Sequence, residues 1–452
     1  MQIINEGSLR EFYAHLYPVE LIYQWLAYRF TKPRPPADFS VEVTRANTSA
    51  ASGADSGHGV CHETDVSADP GDATAAASSS KDEDTKEWLD AKGAAAAEGF
   101  FARREFCFTL IGDIFTRFRS YRTADELRAE LVRAFPEKID VGAVYNIRPN
   151  QKQGLANVFP VERELVFDID MSDYDNVRSC CSGKSICAYC WAWMSCAAHV
   201  LHTLLHDDFG FRYILPVFSG RRGIHLWVCD RRARRMTNDE RTALVGYLTV
   251  VAPKTLRSTV VADLANHRLI HPTVRHALRT QLDRAFTALF VTSPSDNPNN
   301  IQHHAKAAFI VHDATLAVLK LGRRDALNRF QQHIHFQQGN VLDWPAYLRA
   351  LGSEQEATDI LYAVQLLLMY PRLDEHVSTR RDHLLKLPFC VHPGTSYLCC
   401  PLEWEEVDTF NPTEDAPKLQ EMLLNRSLDE RWTLPLERML KEMHADEDEN
   451  FS

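Results

Sequence analysis

The sequence predicts an α+β protein, in which a mixed-sheet catalytic core carries a cysteine-rich insertion and an inserted helical subdomain. Two patterns and their order predict this class. Apolar and polar residues alternate as in β-strands in several short segments between about 103 and 229, whereas helical spacing dominates from about 237 to 369. Strand-like segments return later, at 389–391 and 397–400. A sheet-forming core interrupted by helices is therefore the expected arrangement.

The N-terminal segment is predicted to be helical. Apolar residues recur at helical spacing over 7–31, and Pro18 divides the run. From about residue 33 the composition changes to Ser, Ala, Gly and Asp, with an acidic cluster at 81–84. Such a segment buries too little apolar surface to offset its chain entropy. We therefore expect 1–32 to be a helical segment of the core and 33–98 to be a disordered low-complexity insertion.

Regular structure is expected to resume at about residue 99. The alternating pattern predicts strands at 103–110, 114–118, 138–145, 163–170, 213–218 and 224–229. Helical spacing predicts helices at 123–134, 190–206, 417–425 and 434–444. The predicted domains are a core over 99–236, a helical subdomain over 237–369, the continued core over 370–412, and C-terminal helices with an acidic tail over 413–452.

Composition excludes some functional classes. The chain has 452 residues, 45% of them hydrophobic and 25% charged, as in soluble globular proteins. No stretch is long and apolar enough to span a membrane, and the first residues do not resemble a secretory signal. We therefore expect an intracellular protein without a membrane partner, whose 11 cysteines are thiols or metal ligands. The net charge of −11 lies largely in the insertion and the tail, so a local basic cleft for nucleic acid remains compatible with it.

Two aspartates at the end of an apolar run are the first candidate site. Asp168 and Asp170 close the segment 164–170 and are two residues apart, so a strand places both carboxylates on one face. Neighbouring carboxylates repel each other unless they are protonated or share cations, and hard divalent cations prefer oxygen ligands. The alternative is a surface strand with two solvated acids, which the apolar neighbours disfavour.

A cysteine cluster follows the aspartates. Four thiols within 11 positions match the ligand count of a tetrahedral structural zinc site: Cys180, Cys181, Cys187 and Cys190. Cys196 and His199 are close enough in sequence to be alternative ligands. Unligated thiols are the other possibility, although clustered free cysteines are prone to oxidation.

A glycine-flanked basic turn and a later segment supply candidate phosphate ligands. Residues 219–225 combine two glycines, which allow a tight turn, with hydroxyl, guanidinium and imidazole donors suited to phosphate oxygens. A solvated hairpin tip is the alternative. Farther along the chain, Asp374 is a possible third carboxylate, and Lys386 and His392 are possible phosphate donors.

Together these motifs closely resemble the catalytic small subunit of the archaeal–eukaryotic DNA primases, and specifically the eukaryotic branch. The resemblance rests on 164–175, the Cys-Cys…Cys-x-x-Cys cluster, Ser-Gly-Arg-Arg-Gly-x-His at 219–225, Tyr-Pro-Arg-Leu-Asp at 370–374 and Pro-Phe-x-Val-His-Pro at 388–393. It covers the N-terminal helix and then about 104–412. The insertion and the final forty or so residues fall outside it.

The resemblance implies roles for individual residues and a primase (prim-pol) catalytic core. Asp168, Asp170 and Asp374 are implied to be catalytic and to bind Mg²⁺ or Mn²⁺, and the four cysteines to bind a structural Zn²⁺. The implied nucleotide-binding residues are Glu105, Arg117, Lys138, Asp140, Ser219, Gly220, Arg221, Arg222, Gly223, His225, His383, Lys386 and His392. Asp140 is suited to accept a hydrogen bond from a ribose 2′-hydroxyl.

The resemblance also implies an activity and partners. The expected activity is de novo synthesis of short RNA primers on a single-stranded DNA template from ribonucleoside triphosphates, by two-metal nucleotidyl transfer. The expected partners are a large subunit with an iron–sulfur cluster and the DNA polymerase alpha complex, in the nucleus. One departure is Phe115, which occupies a position where the family is expected to have Tyr.

Three other functions are considered. Residues 166–170 also resemble the first motif of haloacid-dehalogenase-type phosphatases, but Ser172 stands where that family expects Thr or Val, and a cysteine cluster replaces its Rossmann-like order. An inactive primase-fold scaffold is disfavoured by the intact carboxylates. A damage-tolerance primase–polymerase is the nearest rival, and the cysteine insertion favours the replicative subunit over it.

Overall fold

The structure is a computed structural model, and it describes residues 4–28, 99–251, 259–266, 268–291, 300–322, 324–333 and 352–449. Helices and strands are both present, as the α+β prediction requires. The predicted insertion at 33–98 lies outside the described residues. The other domain boundaries remain predictions.

Within the described ranges, eight strands form two sheets. Their bounds are β1 Arg104–Leu110, β2 Ile114–Arg119, β3 Lys138–Tyr145, β4 Pro160–Glu162, β5 Leu165–Asp170, β6 Ile214–Phe218, β7 Gly223–Val228 and β8 Leu385–Lys386. The larger sheet has the order β2-β1-β3-β4, and β8 also pairs with β3. The smaller sheet has the order β5-β7-β6.

The pairing differs from the predicted mixed sheet. Every pair among the described strands is antiparallel. Short turns connect β1 with β2 and β6 with β7, as antiparallel pairs allow, whereas β5–β7 and β3–β8 join strands that are far apart in sequence. The antiparallel β5–β7 pair also does not fit the Rossmann-like order that a haloacid-dehalogenase-type phosphatase requires. The predicted strands at 389–391 and 397–400 reduce to two isolated bridges, Val391 with Leu398 and Tyr397 with Lys418, whereas β4 and β8 had not been predicted.

The helices largely follow the predicted spans. Before the helical subdomain they are α1 Glu6–His15, α2 Val19–Ala27, α3 Ala124–Ala134, α4 Ala188–Asp207 and α5 Arg231–Arg235. Within 237–369, all regular elements that the structure describes are helical: α6 Asn238–Leu248, α7 Thr259–Ala265, α8 Pro272–Ala277, α9 Asp283–Phe286, α10 Asn300–Lys320, α11 Arg324–His333 and α12 Glu354–Met369. Two π-helical turns, Leu278–Leu282 and Thr287–Val291, flank α9. Three helices follow, α13 Glu375–Thr379, α14 Leu419–Asn425 and α15 Leu434–Glu449.

The core joins the N-terminal helices to the smaller sheet. Trp25 of α2 is fully buried and meets Trp227 of β7 edge-on, with ring centroids 5.2 Å apart. The long helix α4 covers the same sheet and buries Trp191 and Trp193. The strand β5 lies at the edge of the smaller sheet, and its apolar residues are buried in this core. In the described part of the chain, no helix combines the length and apolar character that a membrane span requires.

Candidate active site

The two aspartates of β5 lie on one face of the smaller sheet. Asp168 pairs with His225 and Asp170 with Gly223 across the β5–β7 ladder, while Ile169 between them is fully buried. The carboxylate side chains remain 30% and 41% exposed. A buried strand therefore presents both acids on the same side, as its alternation predicted.

Asp374 reaches this pair from a distant part of the chain. Its N–H donates to the Asp168 carbonyl at 3.2 Å, and its carboxylate caps α13 by accepting from the His376 N–H at 3.1 Å. The buried Arg372 donates to the Asp173 carbonyl and, at 2.7 Å, to the Asn176 side chain. Hydrogen bonds from Asp374 and from Arg372, two residues before it, thus hold the two segments together.

The two aspartates of β5 differ electrostatically. Burial, and next the charges of Asp170 and Asp374, raise the pKa of Asp168 to about 7. Burial acts in the same direction on Asp170, but hydrogen bonds from Ser172 and the Arg222 guanidinium lower the pKa of Asp170 below its ordinary value. Ser172 donates through its N–H at 2.7 Å and its hydroxyl at 2.8 Å, and Arg222 forms an ion pair at 2.7 Å.

The donor set fits divalent cations. Carboxylate oxygens are the ligands that Mg²⁺ and Mn²⁺ prefer, and the raised pKa of Asp168 reflects a repulsion that a bound cation would relieve. The carboxylate oxygens of the three aspartates do not all lie within 4.8 Å of one another. Among the described residues, only the four cysteines have ligand atoms that close together. The aspartates therefore border an open site instead of a closed cage.

The turn between β6 and β7 depends on its glycines. Gly220 has φ +83°, and a Cβ there would lie 3.0 Å from the His392 Cβ. A Cβ on Gly223 would lie 2.6 Å from the Ile169 carbonyl oxygen, so only glycine lets β7 approach β5 this closely. The Ser219 hydroxyl accepts from the Gly223 N–H at 2.9 Å and closes the turn. The turn consequently holds Arg222 beside Asp170.

A second group of cationic and imidazole side chains adjoins the turn. Lys386 on β8 donates through Nζ to the Ser219 carbonyl at 2.8 Å. Burial, and next the charge of Lys386, lower the pKa values of His225 and His392 to about 3, so both imidazoles are neutral at pH 7. His392 Nδ1 accepts from the Gly394 N–H at 3.0 Å, which leaves the proton on Nε2 for donation.

The larger sheet contributes the remaining predicted residues. Arg117 pairs with the buried Glu105 at 2.8 Å, and Tyr145 donates to the same carboxylate at 3.1 Å. Lys138 lies 3.0 Å from Asp140, which is opposite Lys386 in the β3–β8 ladder. Burial raises the pKa of Asp140, and Lys138, Lys386 and His383 oppose that rise, so these four groups lie near one another. The predicted nucleotide-binding residues thus border the aspartates from both sheets.

The four cysteines converge as a tetrahedral site requires. The ligand atoms of Cys180, Cys181, Cys187 and Cys190 all lie within 4.8 Å of one another, and the Cys187 and Cys190 sulfurs are 3.8 Å apart. Tetrahedral zinc with Zn–S bonds of about 2.3 Å places sulfurs about 3.8 Å apart. Hydrogen bonds from the Cys180 and Cys190 thiols lower the pKa of Cys187, which favours the thiolate that a metal binds.

The alternative ligands lie in other surroundings. His199 Nε2 is 3.2 Å from Asp408, and the Cys196 thiol is buried with Arg284 and Asp408 as its charged neighbours. Neither residue belongs to the sulfur group. The structure therefore favours the four cysteines as the ligand set.

Sequence reasoning did not single out several residues that support the site. Ser172 binds Asp170, Arg372 anchors Asp374, and Thr395 donates to the Gly220 carbonyl at 2.6 Å. Arg178 is fully buried and donates to the Gly183 carbonyl within the segment 175–190, which carries the four cysteines and is called the cysteine loop. Ser172 and Arg372 lie inside quoted motifs, so motif membership was an available signal. Thr395 makes a tertiary contact, and Arg178 contacts its own loop outside any quoted motif, so sequence spacing carries no sign of either role.

Comparisons with known proteins converge on one family. The family model described as DNA primase small subunit matches residues 167–404, which include the aspartates, the cysteines and the basic turn. Among solved structures, the polymerase domain of Mycobacterium tuberculosis ligase D in complex with DNA aligns with 77% of this chain and 91% of its own, at 13% identity and a TM-score of 0.31. That structural likeness is too slight to support an argument.

The curated relatives cover most of the chain. The DNA primase small subunit of Drosophila melanogaster is 34% identical over 72% of this chain and 75% of its own length. That of Schizosaccharomyces pombe is 35% identical over 72% of this chain and 70% of its own length. This chain therefore belongs to the family of DNA primase small subunits.

Proposed function

We propose that this chain synthesises short RNA primers de novo on single-stranded DNA, and that Asp168, Asp170 and Asp374 carry the chemistry. Members of its family are nucleotidyltransferases that make RNA primers. The observation that most supports the proposal is the convergence of the three carboxylates with the basic turn at 219–225 and with Lys386. Carboxylates for cations and cations for a triphosphate are the two sets of groups that nucleotidyl transfer needs.

The carboxylates are proposed to hold divalent cations of the Mg²⁺ or Mn²⁺ type. When bound, such cations acidify an attacking 3′-hydroxyl and neutralise charge on the transferred phosphate. Asp170 stays ionised because Ser172 and Arg222 stabilise its charge, whereas Asp168 gains most from a cation because its neighbours are acidic.

The cationic side is proposed to bind the triphosphate and stabilise the leaving pyrophosphate. Arg221, Arg222 and Lys386 supply positive charge, while the neutral imidazoles of His225 and His392 donate hydrogen bonds without adding charge. Because these groups are already held by the turn and by β8, little reorganisation is needed when charge develops. Asp140, which lies beside Lys138 and near His383, is proposed to accept a hydrogen bond from a ribose 2′-hydroxyl, and Glu105 and Arg117 are proposed to border the same nucleotide.

The four cysteines are proposed to bind one structural Zn²⁺. The sulfur spacing fits that ion, and the cluster belongs to the loop between β5 and α4, so the ion would tie the aspartate strand to the core helix. We further propose a large subunit with an iron–sulfur cluster as a partner, membership of a complex with DNA polymerase alpha, and a nuclear location. The support for these is the eukaryotic relatives.

One assay separates primer synthesis from phosphatase activity and from an inactive scaffold. The purified chain is incubated with poly(dT), ATP and Mn²⁺ or Mg²⁺, and short RNA products are resolved by electrophoresis. The expected result is a ladder that begins at the dinucleotide and disappears when the template is omitted. Phosphate release without a ladder would indicate a phosphatase instead, and no turnover at all would indicate an inactive scaffold.

A further inference from the structure

Arg178 is a buried guanidinium that organises the cysteine loop. Its side chain is 0% exposed, and it donates to Asp175 at 2.7 Å, to the Ser185 carbonyl at 2.8 Å and to the Gly183 carbonyl at 3.1 Å. It also lies 3.9 Å from the Cys190 sulfur. Burying a charge is costly unless its hydrogen-bond donors have acceptors. The hydrogen bonds of Arg178 therefore fix both its own side chain and the backbone of the loop.

The carbonyl of Gly183 is shared with a second arginine. Arg222 Nη1 donates to the same oxygen at 2.8 Å, so the oxygen accepts from one arginine on the cysteine-loop side and one from the turn between β6 and β7. The Gly183 N–H donates to Asp175 at 2.9 Å, and its φ of +59° is a conformation that favours glycine. The hydrogen bonds of the Gly183 N–H and of its carbonyl oxygen therefore fix the direction of this carbonyl.

Arg222 is held by three groups around its guanidinium. Besides the Gly183 carbonyl, it forms the ion pair with Asp170 at 2.7 Å and donates to the Ser172 hydroxyl at 3.4 Å. Its side chain remains 18% exposed, so a ligand can reach it. Two of the three contacts lie on the aspartate segment, and the third comes from the cysteine loop. The loop is therefore one of the elements that decide where this guanidinium points.

We propose that the cysteine loop is a positioning element for nucleotide binding, in which Arg178 orients the Gly183 carbonyl and that carbonyl orients Arg222 toward the triphosphate. This inference rests on the proposed role of Arg222 as a triphosphate ligand. Arg178 touches no substrate, so its contribution appears in the affinity for nucleotide and not in the rate of the chemical step. The loop thereby has a part in substrate binding in addition to holding a metal.

The test compares Arg178→Lys with wild type. Lysine keeps the charge beside Asp175 but lacks the planar fork that reaches two carbonyls at once. The expected result is a rise of about fivefold in the KM for ATP and in the Kd of a fluorescent ATP analogue, the loss expected when one positioning hydrogen bond is removed. The kcat and the zinc content by mass spectrometry are expected to stay within about twofold of wild type.

A matched control comes from the same loop. Lys184 is exposed and adjoins Gly183, and Lys184→Ala is expected to leave KM, kcat and zinc content unchanged. Arg178→Met serves as a second variant, since it removes the charge while keeping a similar volume. A lower kcat, lower thermal stability or loss of zinc in both Arg178 variants, with KM unchanged, would assign a purely structural role and overturn the proposal.

A double-mutant cycle tests separately whether Arg178 acts through Arg222 and whether Arg222 binds the nucleotide. Arg178→Lys is expected to weaken nucleotide binding in wild type but to have almost no effect in an Arg222→Met background, because the group that it positions is then absent. Additive effects would contradict the link through Gly183. If Arg222→Met alone leaves nucleotide affinity unchanged, the proposed triphosphate role of Arg222 fails, which is a different result from failure of Arg178.

Discussion

Asp168 and Asp170 are two residues apart on one strand, yet their surroundings move their pKa values in opposite directions. Burial and two acidic neighbours raise the pKa of Asp168 to about 7, whereas Ser172 and Arg222 keep Asp170 ionised. The alternation of β5 predicted the shared face but not this difference, since Arg222 comes from the turn between β6 and β7. Residue-level chemistry in this site is thus set by tertiary contacts that the spacing does not encode.

Glu164, just before β5, provides a test of stability against pH. Burial alone would raise its pKa, but Arg104, at 2.7 Å, and Tyr28, also at 2.7 Å, lower the pKa of Glu164 to about 2. A folded-state pKa below the unfolded value of about 4.3 stabilises the fold above that pH, and the contribution disappears as the pH falls toward about 2. We predict that Glu164→Gln lowers the free energy of unfolding by about 3 kcal/mol at pH 7 and flattens its acid dependence.

Urea denaturation between pH 7 and pH 3 measures both effects. Glu6→Gln is the control, because the Glu6–Arg10 pair is exposed on α1 and such pairs contribute little. It is expected to change stability by less than about 0.5 kcal/mol. Equal losses in the two variants, or an unaltered pH slope in Glu164→Gln, would contradict a specific role for the buried pair.

At the scale of elements, the contact between β5 and β7 depends on one glycine. We predict that Gly223→Ala destabilises the fold by about 1–3 kcal/mol and strongly reduces primer synthesis, because its Cβ would lie 2.6 Å from the Ile169 carbonyl oxygen. Gly246→Ala is the matched control, since no atom lies within 4 Å of a Cβ there and it sits in α6. That control is expected to be neutral or to stabilise by up to about 1 kcal/mol. Thermal denaturation and a primer assay compare the two variants. Equal stability and equal activity of Gly223→Ala and Gly246→Ala would contradict the close β5–β7 approach.

The proposed zinc site of the cysteine loop can be tested by measuring the metal content of variants. We predict that Cys187→Ala loses the bound zinc and several kcal/mol of folding free energy, because zinc binding contributes directly to folding. Cys196→Ala is predicted to keep one zinc per chain, since its sulfur lies outside the group of four. Mass spectrometry of the purified variants measures this. Zinc loss from Cys196→Ala, or zinc absent from wild type, would contradict the ligand set.

Most elements of the core follow from the sequence, and the exceptions have physical causes. Strands with alternating apolar residues, such as β5 and β7, were predicted to within two residues because one or both faces are buried. The two-residue strand β8 has no periodicity to detect and forms only because β3 offers it a partner. The antiparallel order likewise reflects which strands meet in three dimensions. The motifs indicated the candidate site residues, whereas the residues that hold them in place, such as Arg372 and Arg178, could be identified only from the fold.

At the scale of the whole molecule, the segment at 33–98 divides the core in sequence. Its composition predicts little burial, and the family resemblance does not extend over it. We predict that deletion of 35–97 leaves kcat and KM for primer synthesis within about twofold of the full chain. The same assay on poly(dT) measures both constants. A large loss of activity in a deletion variant that keeps its thermal stability would show that the segment takes part in function.

The proposed site assembles from segments about two hundred residues apart, so Asp374 tests the assembly most directly. The decisive measurement is the rate of dinucleotide synthesis by Asp374→Asn on a single-stranded template, with thermal denaturation to confirm folding. Loss of one carboxylate from a charge-stabilising site is expected to reduce the rate by at least about a hundredfold while the melting temperature stays close to wild type. Undiminished synthesis by a folded Asp374→Asn variant would contradict the three-carboxylate site.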